Sequence, residues 1–377
     1  MSTSSSWTRR FLVNAALTAA SLAVAFGVGE VVARLLFKDS TVLFPRYHTE
    51  YHYGKYTLRG IRPHAQFWHT SVDGSWKFVT DAEGFRDTRD FAYAKSPGTL
   101  RILSLGDSHT QGYEVRQDAT FSAVAERYLK HHQLKAEAIN AGVSGFGNGE
   151  ELAFLEAEGY KYHPDVVVLG FYANDFEDNF KSDLFGLDAA GKLKPLKYEH
   201  IPGVKIQDVI YAIAPVRWLS ENSYFYSVLF NGVWEYFKAR LAKAAHAAET
   251  AEYAVPMQKG PSAPEIALAA ALLEEMQRFC TAHGMRLIVV DIPQRAAEYS
   301  IASSIPPALM QRLNGAGVEV INSASLLADY DGAPEMHVPH GHQHISEFTH
   351  ALIGVEIGRR VLGAQPGGTL KAAQNTP

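Results

Sequence analysis

Short apolar runs alternate with helical stretches from residue 100 to about residue 325. The runs have the length and continuity of buried strands and end at Gly, Asn or Asp; they cover residues 101–106, 136–140, 165–171, 286–291 and 318–322. Between them, residues 119–134, 149–160 and 263–283 carry apolar side chains at helical spacing. This alternation favours a parallel sheet with helices on both faces. Such sheets bind ligands at the carboxyl ends of their strands, so we look for chemistry there.

The N-terminal segment predicts a helix that crosses a membrane once. Residues 11–29 carry no charge, and apolar residues continue to Phe37. At 1.5 Å per residue this length is just enough for a hydrocarbon core of about 30 Å. Arg9 and Arg10 precede the segment, which predicts a cytoplasmic N-terminus and a chain exposed on the periplasmic or extracellular side of the cytoplasmic membrane.

Other interpretations of this segment stay open. Ala23-Val24-Ala25 fits the cleavage pattern of a signal peptide, and Arg9-Arg10 partly matches a twin-arginine export signal. A buried helix of a soluble domain is a further alternative. Anchor and signal peptide both predict export of the protein.

The rest of the chain completes a predicted domain plan. After the N-terminus and anchor at 1–38, alternation around Asp73-Gly74 predicts a hairpin within a β-rich lead-in at 39–98. Residues 181–260 interrupt the strand and helix rhythm and are interpreted as an insertion in a domain that spans 99–363. The tail at 364–377 lacks apolar periodicity and is predicted to be disordered.

Composition and charge exclude several classes of protein. The chain has 377 residues, of which 47% are hydrophobic and 20% charged, which is typical of globular proteins and excludes a polytopic transporter. A net charge of −5 without long single-sign blocks argues against a nucleic-acid partner. One cysteine, Cys280, excludes an internal disulfide, a thiolate zinc cage and an iron–sulfur cluster.

The first three strand ends carry residues suited to acyl transfer. Ser108 follows Gly106 at the end of the first strand, where a hydroxyl would point into the crevice at the sheet edge. The glycine-rich run at 140–147 ends the second strand and can bring a backbone N–H close to a substrate. Asn174 ends the third strand with a side-chain amide. N–H donors beside a serine hydroxyl form an oxyanion hole.

These motifs resemble a known family. Gly106-Asp107-Ser108, the run at 140–145 and Asn174-Asp175 are similar, in order and spacing, to the first three blocks of the SGNH hydrolases, also called the GDSL esterase/lipase superfamily. The resemblance covers roughly residues 100–180 and 285–360. Residues 80–87 and the N-terminal segment also resemble a membrane-anchored bacterial branch of this superfamily.

The resemblance implies a fold and a set of roles. The fold is a flavodoxin-like three-layer α/β/α sandwich with a five-stranded parallel sheet. Ser108 is the nucleophile, and the oxyanion hole consists of the backbone N–H groups of Ser108 and Gly145 and the amide of Asn174. The resemblance implies no cofactor.

The predicted base comes from a histidine-rich segment near the C-terminus. Five histidines lie there, namely His337, His340, His342, His344 and His350. The segment 344–354 resembles the last block of the family, which implies that His344 is the base; His337 is the alternative. The family usually has an Asp two or three residues before this His, but here those positions are His342 and Gly341. Asp331 or Glu335 could be the orienting acid, or a backbone carbonyl could hold the ring.

The residues therefore predict a serine ester hydrolase, with alternatives left open. We expect an esterase or deacetylase on small-molecule or glycan esters of exported or cell-surface carbohydrate. An acyltransferase using the same site and an inactive carbohydrate-binding relative are alternatives. A metal-dependent hydrolase is another, since His340, His342 and His344 share one face of an extended segment. Nothing in the sequence indicates the oligomeric state.

Overall fold

The computed structural model describes residues 3–233, 260–297, 300–330, 336–341 and 343–364. It begins with one long helix, α1 (Thr3–Leu36). Within it, Trp7–Leu36 is long and apolar enough to cross a membrane, by length and composition, and its most apolar window is not buried against the protein. The predicted apolar helix is therefore present.

The other helices and strands follow the predicted rhythm. The helices are α2 (Ser108–Gln111), α3 (Phe121–His131), α4 (Asn148–Ala157), α5 (Asp175–Ser182), α6 (Val204–Ala212), α7 (Ala214–Asn222), α8 (Ala263–Ala282), α9 (Pro307–Gly315), α10 (Ser323–Leu326) and α11 (Glu347–Gly363). The strands are β1 (His48–Tyr53), β2 (Tyr56–Ile61), β3 (Gln66–Thr70), β4 (Ser75–Val79), β5 (Leu100–Gly106), β6 (Ala136–Asn140), β7 (Val166–Phe171), β8 (Phe185–Leu187), β9 (Leu193–Pro195), β10 (Glu199–His200), β11 (Arg286–Asp291), β12 (Gln294–Ala297), β13 (Ser300–Ala302) and β14 (Glu319–Asn322).

The predicted five-stranded parallel sheet is confirmed. Its order is β14-β11-β7-β5-β6, and every neighbouring pair is parallel. After β5 the chain adds β6 at one side of this strand and then β7 at the other side, so β5 is the point where the order of the strands changes direction. A crevice at such a switch point is where open α/β sheets bind ligands.

Both faces of the sheet are buried, which produces three layers. Leu103 and Val167 belong to a core on the side of α4 and α8, whereas Ile102 and Val168 belong to a core on the side of α3 and α11. Side chains alternate across a strand, so a run buried on both faces reads as continuously apolar. This explains why the strands were visible in the sequence.

The lead-in and the described part of the predicted insertion pack together. β3 and β4 form the predicted antiparallel hairpin, and β1 pairs with β2. β10 adds to β2 in parallel, and α6 packs against β1. Residues 234–259, within the predicted insertion at 181–260, and residues 365–377 of the predicted tail lie outside the described residues. The domain boundaries stay predictions.

Candidate active site

The turn after β5 places Ser108 at the sheet edge. Gly106 has a φ of 146°, and a side chain at this position would collide with the Thr110 hydroxyl. Asp107 caps α2, because its Oδ1 accepts a hydrogen bond of 2.8 Å from the backbone N–H of His109. Ser108 is the first residue of α2 and keeps 7% of its surface exposed. Its backbone N–H is thus one of the donors that a helix start leaves unpaired.

His344 meets this serine from a distant part of the chain. The Ser108 hydroxyl donates to Nε2 of His344 at 2.8 Å, across 236 residues of sequence. On the other side of the ring, Nδ1–H donates to the carbonyl oxygen of Gly341 at 2.5 Å. This pairing selects the tautomer with the proton on Nδ1, in which Nε2 is the acceptor for the Ser108 hydroxyl.

Among the described residues, a backbone carbonyl and not a carboxylate accepts the Nδ1–H of His344. Asp331 and Glu335, the carboxylates proposed from the sequence, lie outside the described residues, so those predictions stay open. The backbone carbonyl of Gly341 occupies the place that an acid would take at Nδ1 of His344. The geometry of the described residues is thus that of a serine–histidine dyad.

Asn174, at the start of α5, lies beside the turn that carries Ser108. Its Nδ2 donates to Oδ2 of Asp107 at 3.3 Å and to Oδ2 of Asp178 at 3.0 Å. The amide therefore reaches the residue next to Ser108, but both of its N–H groups face carboxylates. A substrate oxygen would have to compete with these two partners for the amide.

The loop that carries Gly145 is fixed by two polar contacts to its neighbour Ser144. The Ser144 N–H donates to Oε1 of Gln111 in α2 at 2.8 Å, and Arg59 donates to the Ser144 carbonyl at 2.6 Å. Gly145 has a φ of 78°. Within the described part of the chain, the backbone N–H groups of Ser108 and Gly145 have no protein acceptor. Both remain available to a ligand.

Burial controls the charges around the dyad. It raises the pKa of Asp107, and raises that of Asp178 to about 6 although Lys181 opposes the shift. Burial lowers the pKa of His109 well below its ordinary value, and that of His337 to about 4. These two imidazoles are therefore neutral near pH 7.

The remaining histidines of the C-terminal segment have other partners. His337, the alternative base, donates from Nε2 to the carbonyl of Pro293 at 3.0 Å. His340 pairs with Asp73, with 2.8 Å between Nδ1 and Oδ1, and His342 lies outside the described residues. Among the described residues, no group of three or more His, Cys, Asp or Glu side chains could hold a metal ion. The metal alternative of His340, His342 and His344 stays open, because it needs His342.

The residues that surround the His344 ring were not predicted from the sequence. Tyr113 stacks on His344 with 4.4 Å between ring centroids and 26° between planes. Buried Arg86 supports the segment that carries Tyr113 by donating to the carbonyls of Gln111, at 2.6 Å, and Val115, at 2.5 Å. Proximity of Tyr113 to Ser108 along the chain is the one signal that could have indicated its role.

A cavity of about 600 Å³ lies near this site, between the hairpin and α3. Trp68 and Lys77 from the hairpin line it, together with Arg116 and Glu126. Its lining does not include Ser108 or His344.

Comparisons with known proteins place esterases among the similar chains. No family model matches this sequence. An arylesterase of Vibrio mimicus is 30% identical over 82 residues, which is 22% of this chain; the chain covers 41% of the length of that relative. A lipase/acylhydrolase of Enterococcus faecalis is similar in structure, with 15% identity over 70% of this chain and 95% of that chain, at a TM-score of 0.40. A variant of an acetyl-xylooligosaccharide esterase of Geobacillus has 12% identity over 73% and 98% of the two chains, at a TM-score of 0.38.

Proposed function

We propose that this chain is a member of the SGNH hydrolase superfamily and acts as a serine ester hydrolase tethered to a membrane. The observation that carries the proposal is the contact of 2.8 Å between Ser108 Oγ and His344 Nε2, with the opposite ring nitrogen held by a carbonyl. A nucleophile, a base and an orienting acceptor in this order are the elements of nucleophilic acyl transfer.

The reaction follows from the groups around Ser108. His344 Nε2 takes the hydroxyl proton while Ser108 Oγ bonds to the carbonyl carbon of the ester. The N–H groups of Ser108 and Gly145 bind the resulting oxyanion, and the Asn174 amide joins them when it exchanges a carboxylate partner for the substrate oxygen. The intermediate then collapses, and the leaving alcohol takes the proton from His344. Water attacks the acyl-enzyme by the same route and restores the serine.

Contacts tie the C-terminal end of α1 to the folded domain. Glu30, near the end of the apolar helix, accepts hydrogen bonds from Ser223 Oγ at 2.7 Å and from the Phe225 N–H at 3.0 Å. Arg34 donates to the carbonyl of Asn222 at 3.0 Å. Glu30 and Arg34 both follow Ala25, so these contacts would also persist after cleavage at Ala23-Val24-Ala25. We propose that α1 is retained as a single-pass anchor, since Trp7–Leu36 is long and apolar enough to cross a membrane. We place the catalytic domain on the periplasmic or extracellular side, since Arg9 and Arg10 precede the apolar segment.

The substrate class follows from this location. An esterase held outside the cytoplasm meets esters on exported and cell-surface carbohydrate. We propose that the substrates are acyl esters of such glycans, with acetyl as the group removed. Release of acetate from acetylated oligosaccharides, compared with release of longer acids from lipid esters, tests the class directly.

The central test is covalent capture of the nucleophile. The full-length protein in detergent is treated with a fluorophosphonate, digested and analysed by mass spectrometry. The expected result is one adduct on Ser108, lost in Ser108→Ala, together with hydrolysis of a short-chain model ester that survives a chelator. Adducts elsewhere, or equal hydrolysis by Ser108→Ala, contradict the proposal.

A further inference from the structure

Glu114 has an unusual environment close to the dyad. It lies six residues after Ser108 in the chain and has a φ of 55°, a left-handed conformation that non-glycine residues seldom adopt. Its side chain is completely buried. Neither carboxylate oxygen has a hydrogen-bond partner of ordinary geometry among the described residues, although the Ser71 hydroxyl is close enough to lower its pKa. A buried, underpaired carboxylate on a strained backbone is costly, and such strain concentrates at functional sites.

The carboxylate lies against the residue that orients His344. A Cβ atom built on Gly341 would collide with Oε2 of Glu114, so this oxygen fits the space left by the missing side chain. The Gly341 carbonyl is the acceptor for Nδ1–H of His344. Tyr113, which precedes Glu114, stacks on the same imidazole. Glu114 thus lies against Gly341, whose carbonyl accepts Nδ1–H of His344, and follows Tyr113 directly in the chain.

The other titratable groups near Glu114 act in opposite directions, since Asp73 raises the pKa of Glu114 and His340 lowers it. His69 Nε2 is 3.9 Å from Oε1 of Glu114, but burial lowers the pKa of His69 to about 3, so the ring is neutral. His340 pairs with Asp73 at the surface. Burial is the largest cause that raises the pKa of Glu114, to about 7, so a cation forming nearby would favour its charged form. His344 becomes such a cation when it takes the serine proton.

We propose that Glu114 is a positioning residue that replaces the acid missing before His344. Its carboxylate holds Gly341 in place. Its negative charge also stabilises the His344 imidazolium formed during acyl transfer, although the Gly341 carbonyl, and not Glu114, accepts Nδ1–H. The inference rests on the proposed function, since it needs His344 as the base.

Two substitutions of Glu114 separate charge from structure. Glu114→Gln keeps the shape and removes the charge, while Glu114→Gly removes the side chain and suits a φ of 55°. We expect both to lower kcat about 10- to 100-fold with KM within about twofold, as expected when a charge acts on the transition state. The apparent pKa of the base in the pH–rate profile should fall, because the imidazolium loses a stabilising anion. Glu114→Gly should melt no lower than the wild type.

Matched controls make the result decisive. Asp73→Asn removes a neighbouring carboxylate that serves His340 and should leave kcat within about threefold. Asp331→Asn and Glu335→Gln test the acids proposed from sequence. Unchanged kcat and pH profile in Glu114→Gln, with a large loss in either of those two variants, would overturn the inference. Absence of a phosphonate adduct on wild-type Ser108 would instead reject the proposed function, so the two failures are distinguishable.

Discussion

The carboxyl edge of the central sheet and the helices near residues 204–233 differ in how they place their side chains. At the sheet edge, Ser108, Asn174 and His344 are each less than one-tenth exposed, and hydrogen bonds fix each of them. On the helices, Val209 is 64% exposed and Trp218 is 63% exposed. Contacts within the protein fix the side chains of the first region, whereas the second region exposes apolar side chains to its surroundings.

The spacing of the exposed residues shows that the second region has a defined face. Ile206 and Val209 of α6 and the C-cap residue Ile213 are exposed on one side of the helix, while Gln207 on the other side is buried. Substitutions at the sheet edge should therefore change ester hydrolysis, and those on the exposed face of α6 should change little in the isolated protein.

Removal of the nucleophile should have the largest effect. Ser108→Ala deletes the atom that attacks, and comparable changes in serine hydrolases cost about 10⁴- to 10⁶-fold in kcat. The free energy of unfolding should change by no more than about 1 kcal/mol, because a single hydrogen bond to His344 is lost. Ester hydrolysis and thermal melting measure the two quantities. Ester hydrolysis by Ser108→Ala at the wild-type rate would mean that the sheet edge around Ser108 is not the active site.

Loss of the side-chain amide should come next. Asn174→Ala removes a proposed oxyanion donor, and such losses cost about 10²- to 10³-fold in kcat. Asn148→Ala is the matched control, because Asn148 bridges the buried carboxylates Glu151 and Asp175, at 3.0 and 3.1 Å, without contacting Asp107. Asn148→Ala should lower the free energy of unfolding, and its loss of kcat should be smaller than that of Asn174→Ala. Equal losses of kcat in the two variants would mean that the network, and not the donor, controls activity.

Overpacking behind the sheet should affect stability alone. A Cβ on Gly354 of α11 would lie 2.6 Å from Cβ of Val124 and 2.7 Å from the carbonyl oxygen of Phe121 in α3. Gly354→Val should therefore destabilise the fold by about 1–3 kcal/mol. Gly315→Ala is the control, since nothing lies within 4 Å of a Cβ there. Denaturant unfolding measures both, and kcat of the folded Gly354→Val protein should stay near that of the wild type.

The strands of the sheet could be predicted because each is buried on both faces. The run at 286–291 in the sequence matches the observed β11 residue for residue, since its burial depends on local apolar character. Ser108 and His344 could be proposed from motifs, and the structure brings them together. Their roles, like those of Gly145 and Asn174, stay proposals.

The surroundings of the dyad could not be predicted in the same way. The carbonyl of Gly341 lies three residues from His344 and matches the backbone alternative proposed from the sequence, although not its position. The stacking of Tyr113 on His344 and the approach of the Glu114 carboxylate to Gly341 depend on loop conformations and on contacts across more than 200 residues. Local propensity carries no information about such contacts. The orientation of the Asn174 amide toward two carboxylates is likewise set by tertiary packing.

The smallest effect is expected on the exposed face of α6. Val209→Ser changes an apolar group to a polar one at a position that is 64% exposed, so the free energy of unfolding in detergent should stay within about 0.5 kcal/mol of the wild type. Ile288→Val removes one methylene from a fully buried residue of β11 and should cost about 0.5–1.5 kcal/mol. Denaturant unfolding of the two variants compares the regions directly. A loss above 1 kcal/mol in Val209→Ser would mean that this face packs against protein, and the contrast between the two regions would then be wrong.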